Sequence, residues 1–283
     1  MLLRATHHTH FEYPRPAVDS HNEVRLEPSN DAWQTLRDFR LTVRPDAKAF
    51  RYEVSGGAVH HFNLRGPHDE LDVVAESLVE THCSNPYKDL NLLLEDWGIY
   101  RDEEFARSYI EYLSPTPYIP TNPECLTIAQ DVRKDAGQGV ATFLIELGYA
   151  INSMLSYDSD ATHVHSTIDE VIAGRAGVCQ DFAHLMIGCC RAVGVPARYV
   201  SGYLFVNRNE VGLRGDHATH AWIEALLPNG RWLGIDPTNR LLANDRYIKI
   251  HVGRDYSEVA PTRGIYRGAP AKSLTVSVAV VSA

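Results

Sequence analysis

Three residues in the second half of this sequence have side chains that could cooperate in nucleophilic catalysis: Cys179, His220 and Asp236. A cysteine attacks as its thiolate, an imidazole can take up the thiol proton, and a carboxylate can orient that imidazole and stabilise its charged form. A cysteine alone would be weak evidence, because a free cysteine often serves only as a small buried hydrophobic residue. The three together predict a nucleophilic thiol with His220 as its base and Asp236 as the orienting acid.

The segment after Cys179 predicts a buried helix. Apolar residues recur with helical spacing at positions 182, 185, 186, 189 and 193, and Gly194 and Pro196 end the pattern. Cys179 would then lie at the helix N-terminus, where unpaired N–H groups and the helix dipole favour a thiolate. The same backbone N–H groups are natural donors to an oxyanion, and the side chain of Gln180 is a further candidate donor.

His220 and Asp236 are predicted to lie on two neighbouring strands. A period of two places His220, Trp222 and Glu224 on one face of the first strand. The turn Pro228-Asn229-Gly230 predicts a hairpin, so the second strand runs back and brings Asp236 near residues 220–223. Trp222 is then expected to line the site, either covering the three residues or packing beneath them.

Other residues offer alternatives for these roles. His217 could replace His220 as the base, although it points to the opposite strand face, and Asp255 could replace Asp236 as the acid. His184 follows Cys179 by five helical positions, off its face, and is expected to be structural. Cys189 and Cys190 are expected to be core residues, since a disulfide between adjacent cysteines is strained.

Composition excludes several classes of function. The 283 residues carry a net charge of −9, which argues against a partner with a phosphate backbone and against an anionic membrane surface. The five cysteines are odd in number and irregularly spaced, so they do not form a disulfide framework. We find no signal peptide and no apolar stretch of membrane-spanning length, and expect a reducing cytoplasm. The oligomeric state stays open.

No metal or other cofactor is expected. Five histidines could be drawn together as a metal cluster: His7, His8, His10, His60 and His61. No cysteine or carboxylate has ligand spacing to them, so we interpret them as histidines of solvated edge strands. Asp158 and Asp160 resemble part of a calcium loop, but its glycine and terminal glutamate are missing, which indicates a solvated loop.

The chain divides into three segments. Residues 1–82 contain short strands separated by turn residues, which predicts an antiparallel β-sandwich whose first strand ends before Pro14 and Pro16. Residues 83–125 predict a helical and irregular connector. Residues 126–283 predict an α+β core in which the helix that carries Cys179 packs on an antiparallel sheet, with a final strand at Ser273–Val281.

Several motifs resemble one family. They are Gly-Val-Cys-Gln-Asp-Phe-Ala-His at 177–184, Pro-Ala-Arg-Tyr-Val-Ser-Gly-Tyr at 196–203, His-Ala-Trp-Ile-Glu at 220–224, Asp-Pro-Thr-Asn at 236–239, Ser-His-Asn-Glu-Val-Arg-Leu-Glu-Pro at 20–28 and Gly-Arg-Asp-Tyr at 253–256. Together they resemble the transglutaminase-like superfamily of papain-type cysteine enzymes, in the bacterial branch with an N-terminal β-domain. The resemblance implies Cys179 as nucleophile, His220 as base, Asp236 as third member, and a thioester acyl-enzyme formed from a peptide or protein amide.

Two departures from the animal enzymes favour hydrolysis. Those enzymes have Gly-Gln-Cys-Trp around the nucleophile, whereas this chain has Gly-Val-Cys-Gln, and no tryptophan lies between Trp97 and Trp222 to serve their oxyanion site. Nothing resembles their calcium sites either. We therefore expect cysteine-dependent hydrolysis of a peptide, isopeptide or amide bond. The alternatives are transfer of the acyl group to an amine and a non-catalytic protein-binding module on the same fold.

Overall fold

The computed structural model describes residues 1–88, 90, 97–135, 139–207, 213–215 and 218–283. Its strands are β1 (Leu2–Val24), β2 (Gln34–Arg44), β3 (Phe50–Val54), β4 (Gly57–Leu64), β5 (His68–Thr81), β6 (Ser156–Tyr157), β7 (Ala176–Gly177), β8 (Ala197–Leu204), β9 (His220–Leu226), β10 (Trp232–Asp236), β11 (Leu241–Leu242), β12 (Tyr247–Gly253), β13 (Thr262–Arg267) and β14 (Ser273–Ser282). Its helices are α1 (Glu103–Ser108), α2 (Ile110–Leu113), α3 (Pro123–Asp135), α4 (Val140–Met154), α5 (Ile168–Gly174), α6 (Cys179–Ala192) and α7 (Tyr256–Val259), with a 3-10 helix at Trp97–Arg101. Among the described residues, no helix has the length and apolar character needed to cross a bilayer.

One long strand, β1, organises the N-terminal region. Residues 2–12 of β1 pair with β5 and β14, and residues 18–24 pair with β4 and β13, so both halves of the region share it. The expectation that Pro14 and Pro16 end the first strand is wrong. The pairing with β5 shifts register between Glu12 and Ala17, and this irregularity accommodates the prolines, which cannot donate ladder hydrogen bonds.

The two halves enclose a common apolar core. Phe62 of β4 and Val73 of β5 are buried in the same cluster as Val24 of β1. The predicted hairpin at Ser55-Gly56-Gly57 is present, and its turn contacts β12, where the Val252 N–H donates to the Gly56 carbonyl at 3.0 Å. The predicted strand-rich, antiparallel N-terminal region is confirmed.

The last two strands, β13 and β14, return to the N-terminal region. The strand predicted at Ser273–Val281 is present, but it pairs with β1 and not, as expected from the sequence, with the core that contains Cys179. Val278 of β14 is buried beside Leu3, Ala5 and Val79, which gives the strand an apolar face to pack on this sheet. The two ends of the described chain therefore meet in one sheet.

The second half of the chain forms the predicted α+β core. Its antiparallel sheet has the strand order β11-β10-β9-β8-β12, and α6 packs against β8 and β9. Helix α6 begins at Cys179 and ends before Gly194, as predicted. The apolar pattern suggested one buried face, but residues 180–190 are all buried, because α3, α4 and α5 pack around the rest of the helix.

A buried polar contact joins the two regions. The Gln34 side chain of β2 donates to the Lys249 carbonyl and accepts from the Lys249 N–H of β12, both at 2.7 Å. The Lys249 ammonium binds Asp31 at 2.6 Å and also Glu224 of β9, and Glu224 accepts from the Arg198 guanidinium at 2.6 and 2.8 Å. Each buried charge therefore has a partner, as burial in a medium of low dielectric requires.

We predict that Glu224→Gln lowers the free energy of unfolding by about 3 kcal/mol, because it leaves the Lys249 and Arg198 charges without their buried counter-ion. Urea denaturation followed by circular dichroism measures this loss. The matched control is Glu258→Gln, which breaks an exposed pair with Arg254 and should cost less than about 1 kcal/mol. Equal losses in the two variants would contradict the proposed role of burial.

Candidate active site

Cys179 is the first residue of α6, and the turn before it is held by a carboxylate. Asp181, fully buried in the first turn of α6, accepts from the Val178 N–H at 2.8 Å and from the Thr162 hydroxyl at 2.6 Å. A side chain at Gly177 would place its Cβ 2.4 Å from the same carboxylate oxygen, so the turn requires glycine. Cys179 itself is only partly buried.

The N-terminus of α6 presents backbone N–H groups beside the thiol that have no hydrogen-bond partner among the described residues. The first helical hydrogen bonds are donated by the N–H groups of Asp181 and Phe182 to the Val178 carbonyl. The N–H groups of Cys179 and Gln180 precede this bonded turn, as helix geometry requires. The positive end of the helix dipole therefore lies at the thiol.

His220 and Asp236 meet as the hairpin register predicts. Ile235 pairs with Ile223 in β9 and β10, which carries Asp236 toward the start of β9. The His220 Nε2 lies 2.7 Å from Asp236 Oδ2, and both side chains are fully buried. The other ring nitrogen, Nδ1, forms no well-aligned hydrogen bond with any residue that the structure describes, and the Cys179 side chain is close enough to interact with the ring.

Asp236 is the most heavily hydrogen-bonded group of the site. Its Oδ1 accepts from the N–H groups of Thr238 and Asn239, at 2.9 and 3.1 Å. Its Oδ2 accepts from the Asn239 amide at 2.8 Å and the Tyr247 hydroxyl at 2.9 Å, in addition to His220. Burial alone would raise the pKa of Asp236, but His220 and these side-chain donors outweigh it and lower the pKa.

The electrostatic surroundings favour the charged form of His220. Burial opposes a charge on the ring, yet the Asp236 carboxylate, its hydrogen bond, and the interaction with Cys179 together raise the pKa of His220 from 6.5 to about 10. An imidazolium held between a carboxylate and a thiol stabilises a thiolate. The arrangement can therefore support nucleophilic attack by Cys179.

A short loop covers the imidazole. Gly215 has a φ of +105°, and a Cβ there would lie 2.4 Å from His220 Nδ1, so only glycine allows this approach. Asn239 holds the preceding residue, Arg214, in place. The Asn239 side chain accepts from the Arg214 N–H at 2.8 Å and donates to the Arg214 carbonyl at 3.0 Å. The Asn239 side chain therefore joins Asp236 to the loop that covers His220.

The two site-lining candidates occupy different places. The Gln180 amide donates to the Val164 carbonyl at 3.2 Å, which fastens the preceding loop to the start of α6; its role as an oxyanion donor remains a prediction. Trp222 is buried on β9, with ring centroids 6.2 Å from His220 and 5.2 Å from Tyr247. The indole packs beside the imidazole among the buried residues of the sheet.

The alternative residues have other surroundings. Asp255 uses Oδ1 to cap α7, accepting from the Ser257 N–H at 2.8 Å and its hydroxyl at 2.6 Å. His184 is buried, accepts from the Tyr256 N–H at 3.1 Å, and has its pKa lowered by burial to about 3. Cys189 and Cys190 are buried free thiols. His217 lies outside the described residues, so its candidacy as the base stays a prediction.

Three contacts of the site were not predicted from the sequence: Asn239, Tyr247 and Gly215. Asn239 lies within the Asp-Pro-Thr-Asn motif, three residues after Asp236, a spacing at which a side chain and a turn N–H can meet a carboxylate. Tyr247 belongs to β12, three strands from β10, and only the sheet order brings it to Asp236. Nothing in the sequence indicated Gly215.

Comparison with known proteins adds family evidence to this geometry. Residues 127–237 match the family model described as the transglutaminase-like superfamily, and residues 3–80 match that of the bacterial transglutaminase-like N-terminal region. An uncharacterised protein of Mycobacterium leprae is 36% identical over 280 residues, 98% of each chain. A protein-glutamine gamma-glutamyltransferase of Pseudomonas aeruginosa is 31% identical over 235 residues, which cover 73% of this chain and 35% of that protein.

A solved structure has the same fold. The crystal structure of a candidate cysteine protease from Cytophaga hutchinsonii superposes with a TM-score of 0.75 at 22% identity, covering 100% of this chain and 92% of that one. The predicted fold class, an α+β core of papain-like type with a strand-rich N-terminal region, is therefore confirmed.

The raised pKa of His220 predicts a change of stability with pH. The folded state keeps a proton on this ring up to about pH 10, whereas an unfolded histidine loses it near 6.5, so folding stability falls as pH rises across that window. Asp236→Asn removes the charge that holds the proton. We expect the loss of unfolding free energy between about pH 7 and pH 9.5 to be smaller in this variant than in the wild type.

Urea titrations at the two pH values measure this difference. The exposed Asp131→Asn serves as a control that removes a carboxylate elsewhere, and it should follow the wild-type pH dependence. The same pH dependence in wild type and Asp236→Asn would show that the carboxylate does not hold a proton on His220.

Proposed function

Because the chain belongs to the transglutaminase-like superfamily, we propose that it is a cysteine-dependent acyl-transfer enzyme that hydrolyses a peptide, isopeptide or amide bond. The observation that carries the proposal is the buried His220 ring, which is bonded to Asp236 through Nε2 and interacts with the accessible Cys179 thiol. The substrate class is a peptide or protein amide. The chemistry needs a reduced Cys179, and the cytoplasmic location expected from the sequence would supply that condition.

In the proposed first half-reaction, the Cys179 thiolate attacks the carbonyl carbon of the amide. The oxygen of the resulting tetrahedral intermediate accepts hydrogen bonds from the N–H groups of Cys179 and Gln180 at the start of α6. The imidazolium of His220 gives its Nδ1 proton to the leaving amine, the C–N bond breaks, and a thioester remains on Cys179.

In the second half-reaction, water resolves the thioester. Neutral His220 takes a proton from water at Nδ1, the oxygen attacks the thioester carbonyl, and the C–S bond breaks to release the acid and restore the thiolate–imidazolium pair. Asp236 keeps the ring oriented throughout through Nε2 and stabilises each charged stage. Its other four hydrogen bonds prevent the carboxylate from turning away.

A second candidate function is transfer of the acyl group to an amine. The likeness to the Pseudomonas aeruginosa protein-glutamine gamma-glutamyltransferase favours it, although this chain spans only 35% of that protein. The Gly-Val-Cys-Gln sequence around Cys179 favours hydrolysis instead. A non-catalytic binding module is the third candidate, and the buried His220–Asp236 pair beside Cys179 counts against it.

The pairing of Cys179 with His220 predicts how thiol reactivity depends on pH. Alkylation of Cys179 by iodoacetamide should remain fast near pH 6, because the imidazolium of His220 stabilises the thiolate. His220→Ala should slow alkylation of Cys179 near pH 6 by about tenfold or more, because it removes the charge that stabilises the thiolate. Mass spectrometry of the modified peptide gives the rate at each pH.

The partly buried Cys83 provides an internal control in the same digests, since it lies outside this site and its alkylation should not respond to His220→Ala. Superimposable Cys179 profiles in wild type and variant would overturn the proposed pairing.

Hydrolysis and amine transfer are separated by the products formed from a peptide amide. With a glutamine-containing peptide, a hydrolase releases ammonia in water alone, and Cys179→Ala should reduce its rate by about 10⁴-fold or more. A transferase releases ammonia only when a primary amine is supplied, and the amine appears in the peptide mass. Release of ammonia only with added amine would replace hydrolysis by transfer, and no product with any peptide amide would favour the binding module.

A further inference from the structure

Two histidines and one aspartate meet on the outer face of the N-terminal sheet. His8 and His10 are two residues apart on β1, so their side chains lie on the same face, and Asp72 is the residue of β5 paired with His10. His7 points to the opposite face, is buried, and bonds the Thr9 hydroxyl at 2.9 Å. His8 and His10 therefore share the outer face of the sheet with the Asp72 carboxylate of the neighbouring strand, whereas His7 does not.

The three side chains converge on one point. The Oδ1 atom of Asp72 lies 2.6 Å from His8 Nε2 and 3.0 Å from His10 Nδ1. These three potential ligand atoms all lie within 4.8 Å of one another. Ligand atoms around a tetrahedral zinc ion, with bonds of about 2.0–2.1 Å, are separated by roughly 3.3 Å. Small side-chain movements therefore bring all three atoms to coordination distance.

The chemical types of the three ligand atoms indicate which metal ions the site would bind. Two imidazole nitrogens and one carboxylate oxygen suit Zn²⁺ and related divalent transition metals, whereas Ca²⁺ and Mg²⁺ prefer sites made of oxygen atoms alone. Each imidazole coordinates in its neutral form, with its proton on the ring nitrogen that faces away from the metal. A dication then replaces two hydrogen bonds to the carboxylate with three coordinate bonds.

The site would also be open. The side chains of His8, His10 and Asp72 are 43%, 31% and 25% exposed, so a fourth position faces solvent. Three protein ligands with one open position is the pattern of zinc sites that bind water or a second ligand, whereas structural zinc sites use four protein ligands.

We propose that His8, His10 and Asp72 form a binding site for a divalent transition-metal ion of the zinc type, with an open coordination position. The site is separate from Cys179 and does not depend on the proposed reaction, since its ligands come from β1 and β5. The sequence expectation that these histidines have no carboxylate partner is wrong, because β1 and β5 pair across 62 positions of sequence and place Asp72 between them.

Zinc titration by isothermal calorimetry tests the proposal. The full chain is used as Cys179→Ala, so that the accessible thiol cannot bind the metal. We expect one saturable zinc ion per chain. Adding His8→Ala together with His10→Ala should abolish this binding, and adding Asp72→Asn should weaken it by about tenfold or more, since each change removes a direct ligand. His61→Ala on β4 is the matched control, because it removes one partly exposed histidine away from the cluster.

The absorption spectrum of bound Co²⁺ gives a second measurement that is independent of calorimetry. Co²⁺ at a site with three protein ligands and one water should produce visible absorption bands in the Cys179→Ala protein, and the double histidine variant should lack them. Circular dichroism confirms that each variant is folded. The proposal is overturned if zinc does not saturate, or if the double variant binds it as the control does, which would indicate adventitious binding elsewhere.

Discussion

The buried contact between the His220 imidazole and the Asp236 carboxylate is the interaction on which the rest of the site depends. Removing a carboxylate and an imidazolium from water is costly, and mutual attraction alone rarely offsets that cost. Here the structure adds two backbone N–H groups, an amide and a phenol to the carboxylate. These donors come from the turn after β10 and from β12, so the full set of hydrogen bonds to the carboxylate requires β9, β10 and β12 to be in place.

Burial also determines the position of the Cys179 thiol, because it fixes helix α6. Residues 180–190 of α6 are all buried, and the neighbouring elements that pack around them at close-packed density hold the helix in place. The Asp181 carboxylate then fixes the turn that precedes the helix, and Gly177 leaves room for it. The outcome is a partly accessible thiol held at a defined helix terminus, next to a ring held by an equally buried carboxylate.

The N-terminal region is tied to this core by more than a linker. Gln34 exchanges two hydrogen bonds with the backbone of Lys249, and the Lys249 ammonium links Asp31 to Glu224 of β9. Glu224 belongs to the strand that begins with His220. The strand that positions the imidazole is thus linked to Asp31 of the N-terminal region through the Lys249 ammonium of β12. The return of β13 and β14 to β1 makes this region depend on both ends of the described chain.

The sequence by itself determined the features that depend on neighbours along the chain. The helical spacing of apolar residues after Cys179, together with the helix-breaking residues Gly194 and Pro196, predicted where α6 begins and ends. Alternation and the Asn229-Gly230 turn set the hairpin register that brings Asp236 to His220. These features are local, because periodicity and turn chemistry act over a few residues.

Only the tertiary structure decided the contacts between segments far apart in sequence. It kept β1 continuous through two prolines, placed β14 beside β1, brought Tyr247 to Asp236, and set Asp72 between His8 and His10. No local pattern encodes these contacts. They depend on which strands pair and on which apolar faces pack against each other. The arrangement with the lowest free energy for the whole chain determines both.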